Sequence, residues 1–464
     1  MAVCRSIRSA RPVRALCLSL SVALPALVTA CGGDTWKKAA DAAVGTTDGG
    51  MPIDDAAPTP FVRDHLAEVA VTLPVADVTA MENDPTVNTV FAAQVTWDGA
   101  PLKDVAFSVR GSGSAVAVAQ QGSLRYSFKL DLNDNVSGQT LDGEKKLYLN
   151  ENYKDPTHLR EILSYEVLQA LGVPAPRAVL AHVTLNGKEM GIYTAVEAVD
   201  GGFITDHFAD AGGNLYALED KAGTLKPSDA DPPVYPGISV ERGSPKGDPP
   251  DEYLALVNGL ADPATTDLGK YVDVDLTLRY LAAQTALVAL DSYSGTGANY
   301  SLYAQSGVFT PIAFDLGESF GRHACGCTAA ALMDFPVDEP TCDPVADRPL
   351  VARLFDDPAL LSRYHTHLDA ATDALEGLAD RVTTLAALIR PNVQTDTEAL
   401  FPATDFEWSL TKDLPDPRAD GHPDIFGLTR FLTDRVASIR AQRAGTLPAT
   451  RNGAGACPKA PNAP

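Results

Sequence analysis

The sequence predicts an α+β fold of two lobes, because strand-like and helix-like patterns fall in different parts of the chain. Residues 61–200 carry short runs that alternate apolar and polar side chains, as strands with one buried face do. Residues 201–446 mostly repeat apolar side chains at helical spacing. The chain has 464 residues, which also favours two lobes over one simple core. We therefore expect an N-lobe built on an antiparallel sheet and a mainly helical C-lobe.

The N-lobe pattern contains several strands and one strong helix. The alternating runs are residues 68–73, 92–97, 105–109, 126–132, 178–185 and 191–199. Asn186-Gly187 is a two-residue turn signal, and it predicts a hairpin between the last two of these strands. The helix is predicted over 157–171, where Thr157 can cap its first turn and Gly172 ends it.

The C-lobe pattern is helical, with two interruptions and a polar tail. Apolar periodicity predicts helices over 276–290, 359–375, 378–389 and 425–443. Residues 221–250 are rich in Pro, Gly and Asp and predict a surface insertion. Residues 322–349 form a second predicted insertion, which contains three cysteines. The tail covers 447–464.

The N-terminus predicts an exported protein. Residues 1–30 contain four arginines and no acid, followed by a short apolar stretch, as in a secretory signal peptide. Small residues directly before Cys31 resemble the lipobox of bacterial lipoproteins, which implies lipidation of Cys31. Residues 31–60 have few large apolar side chains and predict a flexible tether. We therefore expect a lipoprotein at the outer membrane or cell surface that meets the membrane through its lipid anchor only.

The charge balance limits the classes of partner. The formal net charge is −23 at pH 7. Such a surface repels nucleic acid and anionic lipid headgroups, and it attracts cationic proteins and metal ions. We expect no nucleic-acid partner.

The spare cysteines predict disulfides. Removal of the signal peptide and lipidation of Cys31 would leave Cys325, Cys327, Cys342 and Cys457. Four cysteines in an oxidising compartment favour two disulfides, whose pairing the sequence leaves open. The alternative is a zinc site that uses the nearby histidine, although the C-x-C spacing is not typical of zinc sites.

Three polar segments next to apolar runs could carry chemistry. Arg110 and Ser112 follow a predicted strand, in a glycine-containing stretch that could approach an anion. Asp291 and Asn299 bracket a polar loop after a predicted helix, and Asp315 ends an apolar strand. A base, an amide ligand and a carboxylate ligand are the groups that metal-dependent phosphoryl transfer requires.

These segments belong to an ordered set of motifs. The set includes Arg110-Gly111-Ser112, the strand 126–130, the stretch Lys146-Leu-Tyr-Leu-Asn-Glu-Asn-Tyr-Lys-Asp-Pro156, Asn299-Tyr-Ser-Leu-Tyr303 and Asp315 through Ser319-Phe320-Gly321. Over residues 65–440 the chain resembles the spore coat protein H (CotH) kinases, an atypical branch of the protein-kinase-like fold. The resemblance implies ATP as a cofactor, together with Mg²⁺ or Mn²⁺.

The resemblance also implies roles for single residues. Asp291 would be the catalytic acid that orients or deprotonates the acceptor hydroxyl, and Asn299 and Asp315 would hold the metal ions. Lys129 would contact the α- and β-phosphates of ATP. A glutamate of the predicted helix 157–171 would pair with Lys129, and both Glu161 and Glu166 are candidates. Arg110 and Ser112 would form the phosphate-covering loop.

The chain departs from the family pattern at two positions. Where the family often has Trp-Asp-x-Asp, Phe314-Asp315-Leu316-Gly317 keeps one acid, and Ser112 replaces an asparagine. The predicted function is transfer of phosphate from ATP to Ser or Thr of an envelope protein. The alternatives are a non-catalytic structural or adhesive surface lipoprotein with the same fold, and a calcium-binding surface protein.

Overall fold

The structure, a computed structural model, describes residues 59–86, 89–416 and 424–457. The predicted signal peptide, Cys31, residues 31–58 of the predicted tether and residues 458–464 of the predicted tail lie outside these residues. In the part that is described, no helix combines the length and the apolar character needed to cross a membrane.

Seven strands of the N-terminal part form a closed barrel. They are β1 (Leu66–Thr72), β2 (Phe91–Trp97), β3 (Ala100–Arg110), β4 (Ser127–Asp131), β5 (Lys146–Asn150), β6 (Ala178–Leu185) and β7 (Lys188–Glu197). Their order around the barrel is β1-β2-β3-β4-β5-β7-β6. The predicted antiparallel sheet is therefore wrong in two respects, since the sheet closes and β1 pairs in parallel with β6. Alternation indicates which side chains of a strand are buried, but not which strands pair at the two edges of a sheet.

The barrel interior is filled by the apolar side chains of the alternating runs. Val69, Val95, Phe107, Leu130 and Leu149 belong to one buried cluster inside it. The outward-facing residues of β3, β4 and β5 are more polar. Asn186 and Gly187 form the β6–β7 turn with φ of 52° and 74°, which confirms the predicted hairpin.

In the described part of the chain up to β7, three helices accompany the barrel strands, rather than the single predicted one. They are α1 (Val75–Asn83), α2 (Ser112–Gln120) and α3 (Arg160–Ala170). Helix α2 begins where the sequence predicted a phosphate-covering loop. Gly111 has φ of 77°, which ends β3, and the small apolar residues after it wind into a helix that buries Ala115 and Val118.

Helix α3 begins three residues later than predicted, because Asp155 takes the capping role assigned to Thr157. The Asp155 carboxylate accepts hydrogen bonds from the backbone N–H of Thr157 at 2.9 Å and of Arg160 at 2.8 Å. The buried guanidinium of Arg160 also bonds this carboxylate, and it donates to the carbonyl of Phe426 at 2.6 Å.

The C-terminal part combines helices with a second sheet. The sheet contains β8 (Asn214–Leu218), β9 (Ile238–Arg242), β10 (Tyr300–Gln305) and β11 (Val308–Ala313), in the order β11-β10-β8-β9. The helices are α4 (Gly201–His207), α5 (Asp220–Gly223), α6 (Asp251–Ala261), α7 (Val274–Leu287), α8 (Ala329–Met333), α9 (Pro349–Phe355), α10 (Pro358–Glu376), α11 (Leu378–Thr395), α12 (Ala403–Ser409) and α13 (Leu428–Arg443). The mixed α+β class and the four predicted long helices are confirmed. The insertion 221–250 is not entirely loop, since it supplies β9.

A large apolar core joins α3 to the C-terminal helices. Leu163 and Leu168 of α3 belong to the same buried cluster as Leu281 of α7 and Leu368 of α10. Within it, the hydroxyl of Tyr364 donates to the carbonyl of Val337 at 2.8 Å. This core fixes α3, and therefore its glutamates, relative to α7.

The four spare cysteines form two disulfides. Cys325 bonds Cys342, and Cys327 bonds Cys457. The prediction of two disulfides is confirmed, and the alternative zinc site is wrong because all four sulfurs are used.

Candidate active site

Two of the predicted site residues lie in contact at the start of β10. Asp291 and Asn299 stand at the two ends of the loop that follows α7. The Asn299 side-chain N–H donates to the Asp291 carboxylate at 2.7 Å and to its backbone carbonyl at 3.2 Å. The loop backbone turns tightly on Gly295, whose missing Cβ would lie 1.8 Å from the carbonyl oxygen of Leu290. The structure thus folds the loop back on itself and brings its two polar ends together.

Asp315 lies two residues after the end of β11. This strand pairs with β10, which begins directly after Asn299. The antiparallel register pairs Tyr300 with Ala313, which brings the residues flanking both strands side by side. Asn299 and Asp315 have φ of 54° and 55°, a left-handed conformation that Asn and Asp adopt more readily than most residues. The backbone segments that carry Asn299 and Asp315 therefore lie side by side.

Helix α3 holds Asp315 from the other side. The backbone N–H of Asp315 donates to the hydroxyl of Tyr165 at 3.1 Å, and that hydroxyl donates to Glu161 at 3.2 Å. Glu161 also accepts from the Asn150 side-chain N–H, with both oxygens at 2.9 Å. One hydrogen-bond chain therefore connects β5, α3 and the segment after β11.

Arg110, at the end of β3, is the cation of the site. Its guanidinium bonds the side-chain oxygen of Asn150, lies 4.0 Å from the Asp315 carboxylate, and is stacked 4.2 Å from the centre of the Tyr148 ring. Arg110 and Glu161 are thus joined through one asparagine, rather than by direct contact. A guanidinium held in this way is suited to contact a phosphate.

Five of these residues, Arg110, Tyr148, Asn150, Tyr165 and Asp315, line a cleft between the barrel and the second sheet. Its volume is about 180 Å³. Arg110, Asn150 and Asp315 form a charged end, whereas Val196 and Val199 contribute an apolar part. An apolar recess beside a few convergent polar groups is typical of small-molecule sites.

Two predicted cofactor residues do not have the expected partners. Lys129, on β4, has its ammonium 4.0 Å from the Asp131 carboxylate, and its side chain is 40% exposed. Glu166 accepts from the Arg381 guanidinium at 2.8 Å. The expected ion pair between Lys129 and a helix glutamate is therefore wrong, because Glu161 bonds Asn150 instead. Ser112 begins α2, and its side chain is outside what the structure describes.

Several carboxylates of the site carry raised pKa values. Burial, and then the charge of Asp315, raises the pKa of Glu161 to about 8. Burial also raises the pKa of Glu151 to about 7. The pKa of Asp291 is raised by burial and by Glu318, and that of Glu219 by burial and by Asp291. Burial is the main cause of each raised pKa, so Glu151 and Glu161 retain their protons to a higher pH than ordinary glutamates do.

Lys154 and Glu318 form an ion pair next to Asp291 that the sequence analysis missed. The Lys154 ammonium donates to Glu318 at 2.7 Å, and a His323 ring nitrogen lies 3.5 Å from the same carboxylate. Burial alone would raise the pKa of Glu318, but His323 and Lys154 outweigh it and lower the pKa to about 2. Asn150 and Tyr165 were also missed. Strand parity could have indicated Asn150, since it lies two residues from Tyr148 and therefore on the same face of β5.

The donor set of the site fits a hard divalent cation. The Asn299 amide donates through its N–H, so its oxygen is available as a ligand, and Asp315 supplies a half-exposed carboxylate. Carboxylate and amide oxygens are the ligands that Mg²⁺ and Mn²⁺ prefer. A divalent cation would also offset the charges of Asp315 and Glu318, which after burial raise the pKa values of Glu161 and Asp291.

Fold and site together define an α+β protein with an acidic cleft between a barrel and a second sheet. Residues 107–407 match the family described as "CotH kinase protein", and the chain belongs to this family. It is 27% identical to inner spore coat protein H of Bacillus subtilis (strain 168) over 366 residues, which cover 74% of this chain and 93% of that protein. An inner spore coat protein H-like protein of the same organism is 39% identical over 59 residues, which cover 13% of this chain and 19% of that protein.

Among solved structures, a complex of HipA, HipB and operator DNA from Shewanella oneidensis MR-1 is similar at 12% sequence identity. The similarity covers 68% of this chain and 63% of that one. The TM-score is 0.27, which is too low to support an argument about fold or function.

Proposed function

We propose that this protein is a protein kinase that transfers a phosphoryl group from ATP, with Mg²⁺ or Mn²⁺, to a Ser or Thr hydroxyl of an envelope or surface protein. One observation carries the proposal. Arg110 and Asp315 line one cleft, and the bonded pair Asp291 and Asn299 adjoins it, since the Asn299 carbonyl accepts from the backbone N–H of Phe314, which also lines the cleft, at 3.4 Å. Positioning and charge neutralisation are what phosphoryl transfer requires from a protein.

The cleft suggests a role for each side chain. The apolar part near Val196 and Val199 would receive the base of ATP, and Arg110 would contact phosphate oxygens. Asn299 and Asp315 would hold the metal ions, which neutralise charge that develops on the phosphates. Asp291 would accept a hydrogen bond from the acceptor hydroxyl and take its proton. Its raised pKa makes it a better base than an ordinary aspartate.

The proposed location follows from the N-terminal sequence. A signal peptide over residues 1–30 and a lipid on Cys31 would place the protein outside the cytoplasm, on a membrane. The two disulfides fit an oxidising compartment. The acidic surface favours a cationic acceptor protein and disfavours nucleic acid.

The test is phosphate transfer by the oxidised full-length protein with γ-labelled ATP and Mg²⁺ or Mn²⁺, using a basic protein as a generic acceptor. We expect Asp291→Ala and Asp315→Ala each to lower the rate by about 10²- to 10⁴-fold. Both variants should keep the melting temperature of the parent protein. Absence of transfer, together with no change in melting temperature on addition of ATP and metal, would contradict the kinase proposal.

The second candidate function is a non-catalytic surface module with the same fold. Gly317 favours it, since it stands where the family often has a second acid. In that case the cleft would bind a ligand without turnover. The same assay distinguishes the two functions, because a metal-dependent rise in melting temperature with ATP and no label transfer would support binding alone.

A further inference from the structure

The loop between Asp291 and Asn299 is held by a part of the chain distant in sequence. Arg348, 3% exposed, donates from Nε to the carbonyl of Tyr293 at 2.7 Å and from Nη2 to the carbonyl of Gly295. The backbone N–H of Cys342 donates to the carbonyl of Ser294 at 3.3 Å. Three consecutive carbonyls of the loop thus accept hydrogen bonds from one external segment.

Within the loop, the internal backbone hydrogen bonds of these described residues do not use the carbonyls of residues 293–295. Its internal backbone bonds include Thr296 N–H to the carbonyl of Leu290 at 3.0 Å and Gly297 N–H to that of Ser292 at 2.8 Å. Without Arg348 the buried carbonyls of Tyr293 and Gly295 would lose these donors, which costs free energy and favours rearrangement of the loop.

The segment that holds the loop is itself anchored by both disulfides. Cys342 is bonded to Cys325, and Cys327 is bonded to Cys457. Backbone bonds from Val345 N–H to Gly453 and from Ala456 N–H to Thr341 join the same segment to the residues before Cys457. We call residues 325–348 the stapled segment.

The stapled segment also begins beside the acids of the site. His323 lies two residues before Cys325, and its ring, Glu318 and Asp291 have ligand atoms within 4.8 Å of one another. Arg348, at the other end of the segment, donates to the backbone carbonyls of Tyr293 and Gly295, two and four residues after Asp291. Arg348 therefore fixes the loop through its backbone, while His323, just before the stapled segment, lies near the Asp291 side chain.

We propose that Arg348 is a positioning residue for Asp291 and Asn299, and that the two disulfides make this positioning depend on an oxidised protein. This inference rests on the proposed function for its effect on catalysis, but its structural part stands apart from it. Arg348 touches neither side chain directly. It sets the loop geometry on which the Asp291 to Asn299 hydrogen bond depends.

The test compares Arg348→Met with Arg353→Met in the oxidised full-length protein. Arg353 is a matched control, since it lies on α9 close to Arg348 and donates to the backbone carbonyls of Leu260, Asp262 and Thr265, away from the loop. For Arg348→Met we expect amide hydrogen exchange in residues 289–299 to accelerate about tenfold or more. Arg353→Met should leave the exchange of these amides unchanged. A double change of Cys325 and Cys342 to Ser should act in the same direction as Arg348→Met.

Catalysis gives the second measurement. A misplaced loop should lower kcat by about 10²-fold in Arg348→Met and leave the KM for ATP within about threefold. Arg348→Lys keeps the positive charge and a hydrogen-bond donor, so it should recover part of the lost kcat. If Arg348→Met does not fold, the same two measurements are made on Arg348→Lys. Unchanged exchange at 289–299 in Arg348→Met, or equal acceleration in Arg353→Met, would overturn the positioning role. If the parent protein transfers no phosphate, the kinase proposal fails while the exchange result still decides the role of Arg348.

Discussion

Two neighbouring groups of charged residues in this protein differ in how their charge is compensated. In the loop 152–160, Asp155 is bonded to Arg160 and Lys154 to Glu318. Burial alone would raise the pKa of Asp155, but Arg160 outweighs it and holds that pKa below its ordinary value. In the adjacent cleft, Glu151, Glu161 and Asp291 have raised pKa values. Paired charges hold the fold together, whereas buried acids whose pKa values are raised are typical of functional sites.

The largest expected effect on stability comes from breaking a pair. Asp155→Asn would leave the buried Arg160 without its counter-charge, which should lower the free energy of unfolding by about 3–5 kcal/mol. Urea denaturation measures the loss. Asp315→Asn is the control, since it makes the same change in the cleft on a half-exposed side chain, and it should cost less than about 0.5 kcal/mol. Equal losses in the two variants would mean that the two groups of charges do not differ as described.

The second effect is the pH dependence that the cleft acids impose. The pKa of Glu151 rises from 4.5 to about 7 on folding, so the folded state binds more protons than the unfolded state between these values. The free energy of unfolding should therefore fall as the pH rises from about 4.5 to 7, by up to about 3 kcal/mol for this residue. Glu151→Gln should flatten this slope, as measured by urea denaturation at pH 5 and pH 8.

Glu318 provides the control for this prediction. Its pKa is lowered to about 2, so its contribution to stability is present above pH 4.5 and is lost only as the pH falls toward 2. Glu318→Gln should therefore leave the slope between pH 5 and pH 8 unchanged. A slope in Glu151→Gln as steep as in the parent protein would show that burial of Glu151 does not raise its pKa.

Local sequence patterns predicted most strands and the long helices of this structure, but not the pairing of strands that lie far apart in sequence. Period-two alternation placed the barrel strands other than β5, because burial of one face dictates it, but β5 was not predicted as a strand. Closure of the barrel depends on pairing between β1 and β6, which lie far apart in sequence, and local pattern carries no information about it. Asp291, Asn299 and Asp315 were singled out as polar residues beside apolar runs, the family resemblance implied their roles, and the fold does bring Asp291 and Asn299 into contact. Their roles stay predictions.

The two candidate phosphate-contacting cations, Arg110 and Lys129, show the same limit of prediction from local sequence. The β3–β4 register pairs Arg110 with Ser127 and Ser108 with Lys129, so both cations lie on the outer face of the barrel. Their sequence positions do not reveal which one meets α3. That depends on Asn150, which joins Arg110 to Glu161, and on Asp131, which lies near Lys129.

The smallest expected effect separates these two cations. Arg110→Met should weaken the binding of ATP with Mg²⁺ by about 10- to 100-fold, since a charge-assisted contact to phosphate is lost. Lys129→Met removes the same charge from the same face and should change the affinity by less than about threefold. Isothermal titration calorimetry of each variant with ATP and Mg²⁺ measures both affinities. A larger loss for Lys129→Met would return the phosphate contact to Lys129, and Arg110 would then belong with the paired charges that hold the fold.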